Sequence, residues 1–178
     1  MIIWINGTFG VGKTTTGALL TERSSRLRLF DPESVGSMLE SNLADRPVAD
    51  FQQWEPWRVL TPVVADELVR LTGQVLVAPQ TVLDEGHWDE LARGLAQRGH
   101  QVLHVLLDAV EEVVRRRIAA DELEPSAKSW RLDHLPTYRS ARPWLMSRAD
   151  LVLDTTDLTL QGAADAIWSM AASRVTDT

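Results

Sequence analysis

A glycine-rich run near the start of the chain has the pattern of a phosphate-binding loop. The run Gly7–Thr14 matches G-x-x-x-x-G-K-[ST] at every position. Glycines let a backbone curl around an anion, and the N-terminus of the following helix adds positive potential. Lys13 would reach the β and γ phosphates, the Thr14 hydroxyl would hold Mg²⁺, and Thr15 would contact the α-phosphate. The motif predicts nucleoside triphosphate binding, and the lack of an N-K-x-D run favours ATP over GTP.

A carboxylate after the second predicted strand is a candidate for phosphoryl-transfer chemistry. Asp31 could orient or deprotonate an acceptor hydroxyl, or assist Mg²⁺. The alternative is a turn residue before Pro32 that caps the next helix. Glu33 is a second candidate, and its alternative is a favourable first-turn charge on that helix.

Two further groups of residues are candidates for binding an acceptor. Trp54, Trp57 and Arg58 lie in an irregular stretch, where a ring beside a guanidinium could stack a base or sugar and anchor a polar group, and Trp57 and Arg58 are the stronger candidates. Core packing of the tryptophans is the alternative. Gln80 and Thr81 follow the third predicted strand and could hydrogen-bond a hydroxyl or an amide.

The composition excludes several classes of protein. The 178 residues are 44% hydrophobic and carry a net charge of −7, which is typical of a globular domain and unfavourable for nucleic-acid binding. The chain has no cysteine, so disulfides, thiolate nucleophiles and zinc–thiolate sites are excluded. This fits a cytoplasmic protein. No apolar run reaches the roughly 20 residues of a membrane span.

Apolar runs alternate with helical patterns about five times along the chain. This alternation predicts an α/β fold, a parallel sheet with helices on both faces, in one domain over residues 1–178. The predicted strands are Ile2–Ile5, Arg26–Phe30, Gln74–Ala78, Gln101–Leu107 and Asp150–Asp154. Helical spacing is found at about 13–24, 33–43, 59–71, 88–95, 110–118, 135–146 and 159–171. The polar stretch Asp121–His134 has no clear period and is interpreted as a mobile excursion.

The motifs together resemble the ATP-binding tunicamycin resistance proteins. The resemblance rests on the first seven residues, the phosphate loop, Phe30–Glu33, Phe51-Gln52 with Trp57-Arg58, and Pro79–Val82. More broadly, the chain resembles small P-loop kinases such as shikimate, gluconate and chloramphenicol kinases. The resemblance implies strand order 2-3-1-4-5, a mobile lid at about residues 120–134, and a lid arginine, Arg117, that contacts adenine or the phosphates.

These observations lead to three functional hypotheses. The first is an ATP-dependent phosphotransferase that phosphorylates a hydroxyl of tunicamycin or a similar nucleoside antibiotic and so confers resistance. The second is a protein that sequesters the drug without turnover, and the third is a kinase for a small hydroxylated metabolite. The sequence leaves a homodimer open. The catalytic candidates are Lys13, Asp31 and Arg117, the metal candidates are Thr14 and Asp31, the acceptor candidates are Asp31, Trp57, Arg58, Gln80 and Thr81, and the nucleotide candidates are Gly7, Thr8, Phe9, Gly10, Val11, Gly12, Lys13, Thr14, Thr15 and Arg117.

Overall fold

A parallel five-stranded sheet forms the centre of the protein. The computed structural model describes residues 1–122 and 125–176. The strands are β1 (Ile2–Asn6), β2 (Leu27–Leu29), β3 (Val75–Pro79), β4 (Val102–Asp108) and β5 (Leu151–Asp154). Their order in the sheet is β2-β3-β1-β4-β5, which confirms the α/β class and the implied strand order.

Helices cover both faces of this sheet. They are α1 (Lys13–Thr21), α2 (Glu33–Asn42), α3 (Glu55–Thr72), α4 (Glu85–Ala96), α5 (Glu111–Ala120), α6 (Lys128–Asp133), α7 (Leu135–Arg148) and α8 (Leu160–Thr176). Short 3-10 helices lie at Phe51–Gln53 and Pro125–Ala127. The apolar spacing predicted seven of the eight α-helices, and α6 lies in the stretch interpreted as an excursion.

Strand β1 is buried on both faces because it lies in the middle of the sheet. All five of its residues are buried. Ile3 and Ile5 pack in one apolar cluster with residues of α1, α5 and α8, while Ile2 and Trp4 pack in a second cluster with residues of α2, α3 and α4. Ile3 lies opposite Val77 of β3 and Leu103 of β4. A continuous apolar strand is the expected sequence signature of this position.

Helix α3 differs from the sequence expectation. It begins at Glu55 rather than near Val59, so Pro62 lies well inside it. Proline there removes a backbone hydrogen bond. The Pro62 ring compensates by packing against α4 at Gly94, where an added Cβ would approach the proline Cγ to 2.8 Å. Close packing between the two helices therefore tolerates a residue that local propensity disfavours.

The described part of the segment expected to form a lid contains two short helices. Helix α6 follows the short helix Pro125–Ala127, and its Leu132 packs against the apolar cluster around β1. Leu123 and Glu124, which belong to the predicted lid, lie outside the described residues, as do residues 177 and 178. The mobility of the segment remains a prediction.

Candidate active site

The phosphate loop connects β1 to α1 and needs glycine at defined points. Gly7, Gly10 and Gly12 have φ of 138°, 78° and 95°. A Cβ added at Gly7 would lie 2.2 Å from the carbonyl oxygen of Leu107, so only glycine fits there. Gly12 gives α1 no side-chain cap. The first N–H groups of α1 are therefore available to an anion, as a phosphate-binding loop requires.

Lys13 lies inside this loop in an electrostatically unfavourable place. Its Nζ donates a hydrogen bond to the Thr8 carbonyl oxygen at 2.8 Å and lies 5.3 Å from the centre of the Phe9 ring. Burial lowers the pKa of Lys13 to about 7, although the Glu33 carboxylate raises it and Arg131 lowers it further. A polyanion in the loop would favour the protonated ammonium.

A buried asparagine ties the phosphate loop to the end of β3. The Asn6 Oδ1 accepts hydrogen bonds from the backbone N–H groups of Gly7 (2.8 Å) and Val82 (3.0 Å). Its Nδ2 donates to the Val82 carbonyl oxygen at 3.0 Å, and the Thr81 hydroxyl donates to the Gly7 carbonyl oxygen at 2.9 Å. These bonds set the position of the loop relative to the residues after β3. Sequence reasoning missed Asn6, although a polar residue ending an apolar strand was a usable signal.

A cavity of about 630 Å³ opens beside the loop, between the end of β3, α2 and α6. Its wall contains Gln80 and Thr81, both buried, so two predicted acceptor residues do meet there. The aromatic residues in its wall are Phe9, Phe51, Trp54 and Trp130, and the carboxylates are Glu33, Glu40, Asp50 and Asp84. The cavity is large enough for a drug-sized ligand.

Trp57 and Arg58 lie behind the wall of this cavity rather than in it, contrary to the expectation that they face a ligand. Trp57 is 0% exposed, and its Nε1 donates to the Pro32 carbonyl oxygen at 3.0 Å. Arg58 donates to Glu90 Oε2 and to the Gln52 carbonyl oxygen, both at 2.6 Å. The pair therefore supports the wall in this structure. Trp54, three residues earlier, is the tryptophan that reaches the cavity.

The two carboxylates at the start of α2 have different surroundings. Asp31 is exposed, and its Oδ1 accepts a hydrogen bond from the Glu33 backbone N–H at 2.9 Å, which is a helix-entry contact. Glu33 lines the cavity and acts electrostatically on Lys13. The geometry thus places Glu33, rather than Asp31, between the phosphate loop and the cavity.

Arg117 reaches the opposite side of the loop. It donates to the Thr155 hydroxyl at 3.1 Å and to the Thr155 carbonyl oxygen at 2.6 Å. The Thr155 hydroxyl in turn lies 3.4 Å from the Val11 carbonyl oxygen. The guanidinium is thus placed beside the phosphate loop and the segment after β5.

Comparison with known proteins agrees with this geometry. A family model described as an AAA domain matches residues 2–142. The chain belongs to the AAA domain family. Among solved structures, the tunicamycin resistance protein of Deinococcus radiodurans is 30% identical, with a TM-score of 0.71 over 96% of this chain and 94% of that one. A search of curated proteins found no significant match.

More distant structures share the fold of this AAA domain. The APS kinase of Mycobacterium tuberculosis, solved with AMPPNP and APS, is 18% identical with a TM-score of 0.66 over 96% of both chains. The shikimate kinase of Acinetobacter baumannii, solved with shikimate, is 20% identical with a TM-score of 0.59 over 97% of this chain and 93% of that one. The resemblance to tunicamycin resistance proteins and P-loop kinases is confirmed.

The AAA domain also contains a polar network that sequence reasoning missed. Asp108, at the end of β4, accepts hydrogen bonds from the Tyr138 hydroxyl at 2.6 Å and from the Arg142 guanidinium at 3.0 and 2.7 Å. Burial and the Asp108 carboxylate raise the pKa of Tyr138, and the same carboxylate raises the pKa of Arg142. The network joins α7 to the sheet beside a second cavity of about 320 Å³ that includes Thr8 of the loop.

No helix of the described part of the AAA domain combines the length and apolar character that a membrane crossing needs.

Proposed function

We propose that the protein is an ATP-dependent phosphotransferase that moves a phosphoryl group to a hydroxyl of a small molecule and confers resistance to tunicamycin or a similar nucleoside antibiotic. The observation that carries the proposal is the adjacency of Lys13 in the phosphate loop, the Glu33 carboxylate and the cavity of about 630 Å³. The 30% identical tunicamycin resistance protein supports the choice of acceptor.

The residues of the loop fit a nucleotide with Mg²⁺. The positive φ angles of Gly7, Gly10 and Gly12 and the uncapped start of α1 suit a phosphate chain. Thr14 is exposed at the start of α1 and Asp31 at the start of α2, and these two would hold Mg²⁺. Residues 1–122 and 125–176 contain no group of three His, Cys, Asp or Glu able to hold a metal, so phosphate oxygens and water would complete the coordination. When bound, Mg²⁺ would neutralise charge on the phosphates.

In this proposal Glu33 is the base that accepts the proton of the acceptor hydroxyl. As the acceptor oxygen bonds to the γ-phosphorus, the bond from phosphorus to ADP breaks, and the Glu33 carboxylate takes the hydroxyl proton. Lys13 stabilises the charge on the transferring group, and Arg117 holds the nucleotide from the side of Thr155. Asp31, whose Oδ1 accepts a hydrogen bond from the Glu33 backbone N–H, would hold the first turn of α2 in place in addition to its metal role.

Mass spectrometry of the drug after incubation with protein, ATP and Mg²⁺ tests this proposal. The expected product is tunicamycin heavier by one phosphoryl group. Glu33→Gln should lower turnover by about 10²–10⁴-fold. The matched control is Glu22→Gln, an exposed glutamate at the end of α1. Unmodified drug, with tight binding retained, would refute phosphoryl transfer.

The aromatic wall of the cavity favours a second candidate, a protein that binds the drug without turnover. Phe51, Trp54 and Trp130 supply apolar surface suited to retention of a large ligand. Protection of cells in proportion to the amount of protein, and full activity of Asp31→Asn and Glu33→Gln, would identify sequestration. A loss of protection in both variants would support the enzyme.

A further inference from the structure

Most of the charged side chains in the wall of the cavity of about 630 Å³ are negative. The carboxylates of Glu33, Glu40, Asp50 and Asp84 face it, whereas the described part of its wall contains one guanidinium, that of Arg131. Arg131 forms an ion pair with Asp121, so part of its charge is already compensated. Asp50 and Asp84 accept hydrogen bonds from the backbone N–H groups of Gln52 and His87, which hold these two carboxylates in place. An anionic group of a ligand that enters this cavity would therefore be repelled by these carboxylates.

Gln80 provides an independent indication of a ligand. Its side chain is 3% exposed and lies in the wall of the cavity. Its Nε2 donates to the Thr81 carbonyl oxygen at 3.2 Å, while its Oε1 has no hydrogen-bond partner within residues 1–122 and 125–176. A buried acceptor left without a donor is costly, so such atoms are expected to meet a ligand's donor.

The wall around Gln80 is held in place. The Gln52 Nε2 donates to the Thr81 carbonyl oxygen at 2.8 Å, and Arg58 donates to the Gln52 backbone at 2.6 Å. The Trp4 Nε1 also donates to the Gln80 carbonyl oxygen at 3.2 Å. These contacts hold the backbone of Gln80 and its neighbours in the wall of the cavity, and a preformed acceptor discriminates well between ligands.

We propose that this cavity selects acceptors that carry no anionic group, and that the Gln80 Oε1 accepts a hydrogen bond from a hydroxyl or N–H of the acceptor. The inference rests on the proposed function in that it places the acceptor in this cavity. The four carboxylates repel sugar acids and phosphorylated metabolites, and the Gln80 Oε1 favours a ligand with an uncharged hydrogen-bond donor. The aromatic rings of Phe51 and Trp54 then suit a planar or apolar part of the same molecule.

Calorimetry on protein saturated with AMPPNP tests the charge selection. The probes are two matched pairs, uridine with uridine 5′-monophosphate and glucose with gluconate. We expect the uncharged member of each pair to bind at least about tenfold more tightly, with a difference that shrinks as salt is raised. Glu40→Arg should narrow the difference, whereas Glu22→Arg, on an exposed site away from the cavity, should not. Equal affinities, preference for the anions, or no binding of the uncharged members would overturn the proposal.

A second variant tests the hydrogen bond. Gln80→Met keeps the length of the side chain but removes the acceptor, and should weaken uridine binding about 3–10-fold with AMPPNP affinity unchanged. Gln97→Met, at an exposed position after α4, is the control, and the melting temperature of both variants checks the fold. Unchanged uridine affinity in Gln80→Met would overturn the role of Gln80. Selective binding of the uncharged probes without phosphoryl transfer would refute only the proposed phosphotransferase activity. Phosphoryl transfer to gluconate would refute only the proposed selection against anionic acceptors.

Discussion

Binding of ATP should draw a proton from solution at pH 7 and above, because burial favours the neutral amine of Lys13 before the nucleotide arrives. Burial lowers its pKa to about 7 in the free protein, and contact with phosphates restores the charged form. At pH 7 about half of the molecules would take up a proton on binding, and at pH 8 about nine-tenths would. The proton uptake is measured by calorimetry in buffers of different ionisation enthalpy.

The affinity for ATP should follow the same titration. The charged fraction of free Lys13 falls from about one half at pH 7 to about one hundredth at pH 9, so the affinity should fall roughly 50-fold, or about 2 kcal/mol. Lys13→Met is the control, because it removes the titrating group and with it the dependence on pH above 7. Proton uptake near zero at pH 8 in the native protein would refute the reasoning from burial.

Three further results are expected. Gly7→Ala should abolish ATP binding, because its Cβ would lie 2.2 Å from the Leu107 carbonyl oxygen, whereas Gly86→Ala, whose added Cβ meets only the Asp84 Oδ1 at 3.1 Å, should bind normally in calorimetry. Trp57→Ala should lower the free energy of unfolding by about 3–5 kcal/mol in urea titration, and a loss below 1 kcal/mol would contradict its burial. Burial lowers the pKa of His104 to about 4, below its unfolded value near 6.5, so the unfolded chain binds more protons and stability falls as pH drops from 6.5 to 4. By pH 5 the loss should be about 2 kcal/mol relative to pH 7, and His104→Gln should remove it.

The fold was accessible from the sequence because its strands are short apolar runs and its helices have a clear period. The structure confirms all five predicted strands, and it confirms the strand order that the resemblance to P-loop kinases implied. The boundaries were less accurate where tertiary contacts override local preference. Pro62 suggested a late start for α3, but its packing at Gly94 belongs to a different helix and has no local signature.

The phosphate loop was predictable because one contiguous segment contains the whole motif. The acceptor cavity was not predictable in the same way, because its wall is formed by residues that are far apart in the chain. Trp54 and Trp57 are three residues apart, and the sequence could not show which of the two rings reaches the cavity, because this depends on how α3 packs. Asp108 precedes Tyr138 by 30 residues and Arg142 by 34, and only the folded chain brings it to them.

Asn6, at the end of β1, restricts which residues around the cavity can change without an effect on the phosphate loop. The Asn6 side-chain amide holds both Gly7 of the phosphate loop and Val82 after β3, so a replacement that shifts the backbone at Val82 should also shift the loop and weaken ATP binding. The facing wall, formed by α2 and the short helix Phe51–Gln53, is connected to the chain after β3 through the Gln52 side chain, which donates to the Thr81 carbonyl oxygen. Laboratory evolution toward a new acceptor should therefore accumulate its productive changes in residues 34–51 and leave Asn6, Glu33 and Gln52 untouched.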